Sequence, residues 1–480
     1  MRWRMMDRSA LMPAVWALAS TIVALQTSLA QVRPTGLTSA PPEYLRKIPP
    51  AFSPFGGDSL PRRVDLSPSL PPPGDQGQQG SCVAWTVAYA LRSYQAHVRD
   101  QAPIVLAPGA IDSARVFSPA FVYNQINNGR NGGTYFGDAL NLMQDVGAAP
   151  LSQMGYDPAD FTSQPDSAAL ANAGHFRLLS WKRVDYKDIL EVKSQVNAGY
   201  PVMIGATVDD GFMHAGKDFT WRAASGEARG SHAMLVVGYD DDRHAMRVIN
   251  SWGTAWGDGG YYWLDYDYFP VVVHEAYVAK DRYVPAPVHR PPPMPRAPVV
   301  VATTTDRSAD STREVPVIRG VTTPVARVVI PTLRPPAPTV FDNAKVTIVR
   351  TRPEATDSLL GPGIRFDGLV SVPAGAPGLL QVVIHLFVDS AGHKGHFIRA
   401  TTQRFAVGRQ RAATGTSPFL IGTGSTTRGW VAFLPYSAMD LTQEPAGAVR
   451  ILAEPVLYVD RFGVKAGTPT TTLCRCGRSN

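Results

Sequence analysis

Cysteine is scarce in this chain. Cys82, Cys474 and Cys476 are the only three in 480 residues, too few for a disulfide scaffold, so packing must hold the core. Cys474 and Cys476 stand two apart near the C-terminus. A bridge between such close neighbours is strained, and two thiols with no further Cys or adjacent His make a poor zinc site. They read as an exposed tail pair, oxidised to each other or to another chain. The fixed loop spacing of an EF-hand is also missing, so Asp209-Asp210 and Asp240-Asp241-Asp242 read as solvated turns. His393 and His396 read as flanking a hairpin turn; no metal site and no cofactor is expected. There is no basic stripe interleaved with aromatics. The 46 Lys and Arg are scattered among 39 Asp and Glu, so the net charge of +7 reads as solvation and no nucleic-acid partner is expected. No solenoid-period repeat is evident, and a 44% hydrophobic content excludes wholesale disorder.

Long apolar runs are nearly absent too. One extends from about Ala10 to Leu25, preceded by Arg2, Arg4 and Arg8 and followed by the small-residue pattern Ser28-Leu29-Ala30. This reads as a secretory signal over residues 1–30, cleaved after Ala30, which implies a secreted or periplasmic protein. Interrupted by Pro13, Ser20 and Thr21, the run is short for a bilayer span of roughly 20 residues.

Composition divides the rest. Residues 31–59 are rich in Pro, Ser and Gly and read as an extended lead-in. Over 60–283 a mostly helical first half precedes a strand-rich second half. Helices are expected from Ser81 through His97, where Val83, Val87, Ala90, Leu91 and Tyr94 recur at helical spacing, and around Pro119 to Ile126 and Gly137 to Val146. Strands are expected over Tyr200 to Thr207, Ala233 to Tyr239, Met246 to Ile249, Gly260 to Leu264 and Glu275 to Ala279. Residues 284–340 are a Pro-rich spacer, from Pro285 through Pro338. Residues 341–472 are β throughout, with segments at Lys345 to Thr351, Ile364 to Val372, Leu379 to Val388, Phe397 to Val407, Gly429 to Pro435 and Val449 to Val459. Their spacing suggests a β-sandwich, with 473–480 as a tail.

The chemistry is concentrated in two places. Gln76-Gly77-Gln78-Gln79-Gly80-Ser81-Cys82 puts a thiol at the start of a helix, where unpaired amides and the helix dipole favour an anion and lower its pKa. Downstream lie Ser231-His232-Ala233, opening an apolar strand, and Asn250-Ser251-Trp252-Gly253. A thiol needs a base to take its proton and a group to hold that base in one tautomer. His214 and His244 are weaker candidates than His232, since no apolar strand follows them.

This order and spacing resemble the papain-like cysteine peptidases. The resemblance implies an α+β fold with two lobes, one helical and one β, and the site in the cleft between them. It implies Cys82 as nucleophile, His232 as base, Asn250 as its orienter and Trp252 covering that hydrogen bond. It implies Gln76, with the Cys82 amide, as the oxyanion hole, and the backbone of Gly132 and Gly133, after Asn131, as the wall that pairs with an extended polypeptide substrate.

Departures from the family pattern are visible. Gln79 stands where many members carry a disulfide-forming Cys, and Val83 replaces the usual aromatic after the nucleophile, with Trp85 close enough to fill that volume. Ser231 precedes the histidine where several members have an acidic or amide residue. The short segment before residue 60 leaves no room for a long helical inhibitory propeptide, so restraint of activity is an open question. The reading is an exported cysteine endopeptidase with a thiolate–imidazolium pair. Two alternatives stand beside it: cell-wall amide hydrolysis or acyl transfer by the same residues, and an inactive binding protein. The C-terminal region could recognise a cell-envelope or protein partner.

Overall fold

The structure is a computed structural model that describes residues 33–51, 60–107, 109–281, 333–334, 336 and, with short gaps, 339–474. The signal segment, most of the Pro-rich spacer and Cys476 lie outside the described residues. Among those described, no helix is long and apolar enough to cross a membrane.

The helical lobe is built around one continuous run. It starts as α-helix at Cys82–Ala84, passes through a π-helical stretch at Trp85–Arg92 and ends as α-helix at Ser93–Asp100, where Gln101 turns left-handed at φ 53°. Pro119–Ile126 starts where Ser118 accepts from the Phe121 amide, with Pro119 supplying a preset φ. Phe136–Asp145 and Ser167–Ala173 complete the lobe. Phe121, Phe136, Leu140 and Met143 of these helices are fully buried against Val83, Val87 and Leu91.

In the β lobe, β1 (Arg63–Asp65), β4 (Leu178–Arg183), β5 (Val202–Asp209), β6 (Thr220–Trp221), β7 (Ala228–Asp240), β8 (Ala245–Ile249), β9 (Tyr261–Asp265) and β10 (Val273–Asp281) form one sheet. Its order is β4-β10-β5-β7-β8-β9-β6, with β1 against the end of β7. Within the helical lobe, between Ser93–Asp100 and Pro119–Ile126, β2 (Val105–Ala107) and β3 (Ala110–Ile111) pair antiparallel. The long strand β7 carries His232 and pairs with β5 on one side and β8 on the other, so its backbone is fixed at the centre of the sheet.

From Lys345 to Cys474 the described residues are β-strands with short 3-10 turns. A three-stranded sheet (Lys345–Asp357, Gly361–Val372, Thr426–Pro435) shares one apolar core with a larger sheet built on Gly378–Ser390 and Val449–Val459. The expected single strand Phe397 to Val407 is instead broken into Arg399–Ala400 and Ala406–Val407. The tail begins later than expected: Thr470–Cys474 is a strand whose Cys474 pairs with Val449, and Cys474 is buried and disulfide-bonded rather than exposed.

Of the acidic runs, Asp209 and Asp240 are buried structural groups, whereas Asp242 stands in an exposed turn as expected. Asp209, buried, caps a helical turn through the Phe212 amide and accepts from the Ser225 amide and Trp221 Nε1. Asp240 pairs with Arg63, Asp241 with Lys193, and Asp242 with Arg62. The C-terminal region packs on the β lobe beside helix Ile189–Asn197. Phe462 meets Tyr200 with ring centroids 5.2 Å apart, Arg411 lies 3.7 Å from Asp188, and residues of both regions belong to one apolar cluster.

Candidate active site

The residues that carry the sequence argument meet at the junction of the two lobes. His232 Nε2 and Asn250 Oδ1 are 2.7 Å apart. A carboxamide oxygen only accepts, so Nε2 carries the proton and Nδ1 is left as the acceptor nitrogen. That Nδ1 is buried and has no hydrogen-bond partner. Trp252 stacks on the imidazole at 4.6 Å between centroids, and Phe212 meets Trp252 edge-on at 5.4 Å. Water is therefore kept from the His232–Asn250 bond on that side, which strengthens it. Phe212 was not singled out by sequence, because an isolated Phe in a loop-like stretch has no distinguishing pattern.

Cys82 is drawn to the same place from the helical lobe. The Ala233 amide, next to His232, donates to Cys82 Sγ at 3.4 Å. Gln76 is fixed between the two loops: Ser251 Oγ donates to its Oε1 at 2.6 Å, while its Nε2 donates to Gln79 O at 2.8 Å and Pro34 O at 3.3 Å. The Gln76 amide also donates to Ser251 O at 2.9 Å, so the Gln loop and the Asn-Ser-Trp loop are stitched together directly. Gln79, where a bridging cysteine was missed, reaches Pro158 O and Asp160 O at 3.4 and 3.3 Å, a hydrogen-bonded brace on the same loop. Trp85 packs on Tyr89 and Tyr156.

The cleft is occupied by the chain itself. Residues 33–38 of the lead-in cross it as an extended strap. Arg33 Nη1 donates to Trp252 O at 2.8 Å, and Trp252 Nε1 donates to Pro34 O at 3.3 Å. Thr134 N donates to Gly36 O, and Thr38 N to Thr134 O, both at 2.9 Å; Leu37 N donates to Ser231 O at 3.2 Å. Leu37 is buried. Beyond the strap, a short helix at Pro42–Leu45 and a bridge between Pro50 and Arg183 anchor the lead-in on the protein. The lead-in is thus not a passive tether, and nothing in its Pro-rich composition signalled this. Past Arg33 the cleft stays open, with a cavity of about 390 Å³ lined by Asp75, Gly77, Gln78, Trp252 and Thr254 among others.

Main-chain pairing at the cleft wall falls on Thr134, one residue past the expected glycines. Gly133 still matters, since a Cβ there would sit 2.8 Å from Thr38 Oγ1. Gly132 turns inward: Tyr123 OH donates to its carbonyl at 2.8 Å, and its own amide donates to the Tyr123 oxygen at 2.9 Å.

Burial decides the protonation states. Cys82 and His232 are both 0% exposed. Desolvation pushes the Cys82 thiol up to about 12, despite opposing backbone amides that include those of Ala233, Val83 and Gly36. Desolvation also pulls His232 down to about 4 against its bond to Asn250. With the strap in place the pair is a neutral thiol and a neutral imidazole, not the expected ion pair. The helix-start amides are outweighed because charge separation has no water to draw on. His244, Asp265 and Asp267 offer ligand atoms within 4.8 Å of one another on the exposed β8–β9 edge, with no further feature that points to an ion.

A thiol at a helix start, an imidazole oriented by an amide, and a second amide donor beside them define a nucleophilic hydrolase site between two lobes. Over residues 60–279 the chain matches the family model for papain family cysteine proteases. It is 26% identical over 207 residues to an uncharacterized peptidase C1-like protein of Acanthamoeba polyphaga mimivirus, covering 40% of this chain and 64% of that protein. It is 29% identical over 198 residues to gamete and mating-type specific protein A of Dictyostelium discoideum, covering 41% of each. The chain therefore spans less than two thirds of the length of these curated relatives. Among solved structures, xylellain, a cysteine protease from Xylella fastidiosa, aligns with a TM-score of 0.45 at 22% identity, covering 52% of this chain and 96% of that one.

Proposed function

We propose that this protein is an exported cysteine endopeptidase, held latent by its own residues 33–38. The observation that carries the reading is a peptide already seated across the site. An extended segment is held by main-chain hydrogen bonds, with a backbone carbonyl, Pro34 O, on the Gln76 amide and with Cys82 beneath it. A cleft that binds backbone in this way suits a polypeptide substrate.

Once the strap leaves, water re-enters and the cost of separating charge falls, so Cys82 can pass its proton to His232 Nδ1. The thiolate attacks the scissile carbonyl carbon. The resulting oxyanion is met by Gln76 Nε2 and the Cys82 amide. The C–N bond breaks as His232 returns its proton to the leaving amine, and water then hydrolyses the thioester to release the acid and the thiol. The strap escapes this fate because a Gly36 amide, an N–H donor, is directed at the sulfur. Cleavage after Ala30 on export would leave only two residues ahead of Arg33, so the strap would form the start of the exported chain. We read the two C-terminal sheets as a sandwich that buttresses the β lobe and offers a surface to a cell-envelope or protein partner.

The test is turnover of denatured casein by the chain and by Cys82→Ala, with peptidoglycan as the competing substrate. Casein hydrolysis lost in Cys82→Ala supports the reading; hydrolysis of peptidoglycan alone would move the activity to cell-wall amides.

A further inference from the structure

Leu333 and Arg334, near the end of the Pro-rich spacer, are seated on the helical lobe. Three side chains of helix Phe136–Asp145 receive them. Asp138 Oδ1 accepts from the Leu333 amide at 2.8 Å, Asn141 Nδ2 donates to Arg334 O at 2.7 Å, and the Arg334 guanidinium pairs with Asp145. At positions 138, 141 and 145 these residues share one face of the helix. Leu333 itself packs against the core cluster that holds Phe136, Leu140 and Met143.

The helix face is shaped for this segment. Asp138 and Asn141 are buried. Trp181 Nε1 donates to Asn141 Oδ1 at 3.3 Å, which turns the NH2 of that amide toward the Arg334 carbonyl. Burial raises the Asp138 carboxyl, and the Leu333 amide is the hydrogen bond that opposes it. Asp145 ends its helix, where the dipole disfavours an acid, and the Arg334 cation offsets that cost. Leu333 takes a left-handed φ of 52°, a conformation that a leucine keeps only where its surroundings hold it. Pro335 follows in sequence and biases Arg334 toward extended backbone, which presets its carbonyl.

The same carbonyl takes a second donor from the lead-in. Tyr44 OH, on the helix Pro42–Leu45, donates to Arg334 O at 3.2 Å. Tyr44 is buried, and its hydroxyl rests where Gly137 has no side chain: a Cβ there would stand 2.0 Å from it. Arg334 O thus joins the helical lobe to the lead-in just beyond the strap. Further along, Lys465 of the C-terminal sheets donates to Asp342 O at 2.7 Å, so the chain that follows Arg334 is fastened to the C-terminal region.

We propose, resting on the latent state argued above, that Asp138, Asn141 and Asp145 form a peptide-binding site outside the cleft, that Leu333 and Arg334 are its ligand in cis, and that its occupation clasps the lead-in and holds the strap in place. The segment that fits is an extended basic peptide with an apolar residue before its arginine. Asp138 and Asn141 read its backbone, and Asp145 reads its charge. The short tether to the docked C-terminal sheets gives an effective concentration on the order of millimolar, so weak contacts suffice. A partner that draws the spacer away therefore frees the strap without entering the cleft.

The experiment uses the full chain and the rate at which a small alkylating reagent modifies Cys82. Arg334→Glu sets a carboxylate against Asp145 and should raise that rate about tenfold; Tyr44→Phe, which removes only the hydroxyl bond, should raise it about fivefold. The two together should exceed the larger effect by less than about twofold, since both act through one carbonyl. In Gly36→Ala, whose added Cβ would fall 2.8 Å from the Gly80 Cα and lift the strap directly, Arg334→Glu should add nothing. A synthetic hexapeptide of residues 331–336, supplied at about 1 mM to the Arg334→Glu chain, should reoccupy the site and restore the slow rate. The same hexapeptide carrying Arg334→Glu should not. Equal rates in Arg334→Glu, Tyr44→Phe and the parent chain, with Gly36→Ala still faster, overturn the clasp and leave the latent state standing. A rate unchanged in Gly36→Ala as well overturns the latent state and the clasp with it. Faster alkylation that comes with a lowered calorimetric transition and is not reversed by the hexapeptide marks an unstable chain and counts against the clasp.

Discussion

Gly36→Ala is the sharpest perturbation of latency. Gly36 lies against the backbone of Gly80, and an added Cβ would stand 2.8 Å from the Gly80 Cα and nearer still to its carbonyl group. These are main-chain atoms at the start of the nucleophile helix, tied through Gly80 N to Asn131 Oδ1 at 2.8 Å, so they cannot give way as a flexible side chain would. The strap must lift instead. Lifting gives up main-chain hydrogen bonds worth about 1 kcal/mol each. It also gives up part of the burial of Leu37, worth about 2 kcal/mol in full. A loss of 2–3 kcal/mol is roughly a 50-fold rise in the open fraction, with 1.4 kcal/mol per factor of ten. The assay is the rate at which a small alkylating reagent modifies Cys82, which is free while Cys474 is disulfide-bonded. Alkylation should accelerate by about that factor, with casein turnover rising in parallel. Equal alkylation rates in Gly36→Ala and the parent chain would refute the claim that the strap is what shields the thiol.

Further outcomes follow from the same geometry. Gln76→Ala in the unseated background should lower kcat by about 100-fold with little change in KM, because its Nε2 serves the oxyanion more than the ground state; a KM effect alone would count against that role. Latency should weaken as pH rises. Burial beneath the strap holds Glu275 at about 7 against an ordinary value near 4.5, so its contribution to the strapped state is fully present below about pH 4.5 and is lost as pH rises through 7. Tyr277, His274, Tyr44 and the Ala40 amide surround it. Burial pulls His274 below the usual imidazole range, and the neutral and zwitterionic forms of Cys82 and His232 bind the same number of protons. Release monitored at pH 5 and pH 8 should be faster at pH 8, and the difference should vanish in Glu275→Gln. Phe462→Ala, at the contact with Tyr200, should cost about 3 kcal/mol of stability by calorimetry, and an unchanged transition would show that the C-terminal region does not brace the β lobe.

Sequence revealed the elements whose pattern is local. Helical spacing from Val83 to Tyr94 and the apolar strand after His232 place two candidate groups, Cys82 and His232, at the lobe junction, and Val449–Val459 runs over the expected span. What stayed hidden depends on partners distant in the chain. The strap carries no periodicity, because its hold comes from backbone bonds to Thr134 and Ser231 and from a single leucine. Glu275 is buried in a strand that also carries His274, Lys280 and Asp281, so its burial beneath the lead-in could not be told from the strand's own pattern. Asp209 and Asp240 looked like solvated turns because their partners, Trp221 and Arg63, are set by tertiary contact. The raised pKa of Cys82 beneath the strap was hidden for a related reason: the helix-start amides are evident in sequence, and the burial that outweighs them is not.

The most direct measurement is active-site titration of the strap-released chain with an epoxide inhibitor, followed by peptide mapping. One inhibitor per chain, attached to Cys82, with turnover falling in proportion to labelling, is the result expected of a thiol peptidase. Turnover that persists after Cys82 is fully labelled would contradict it.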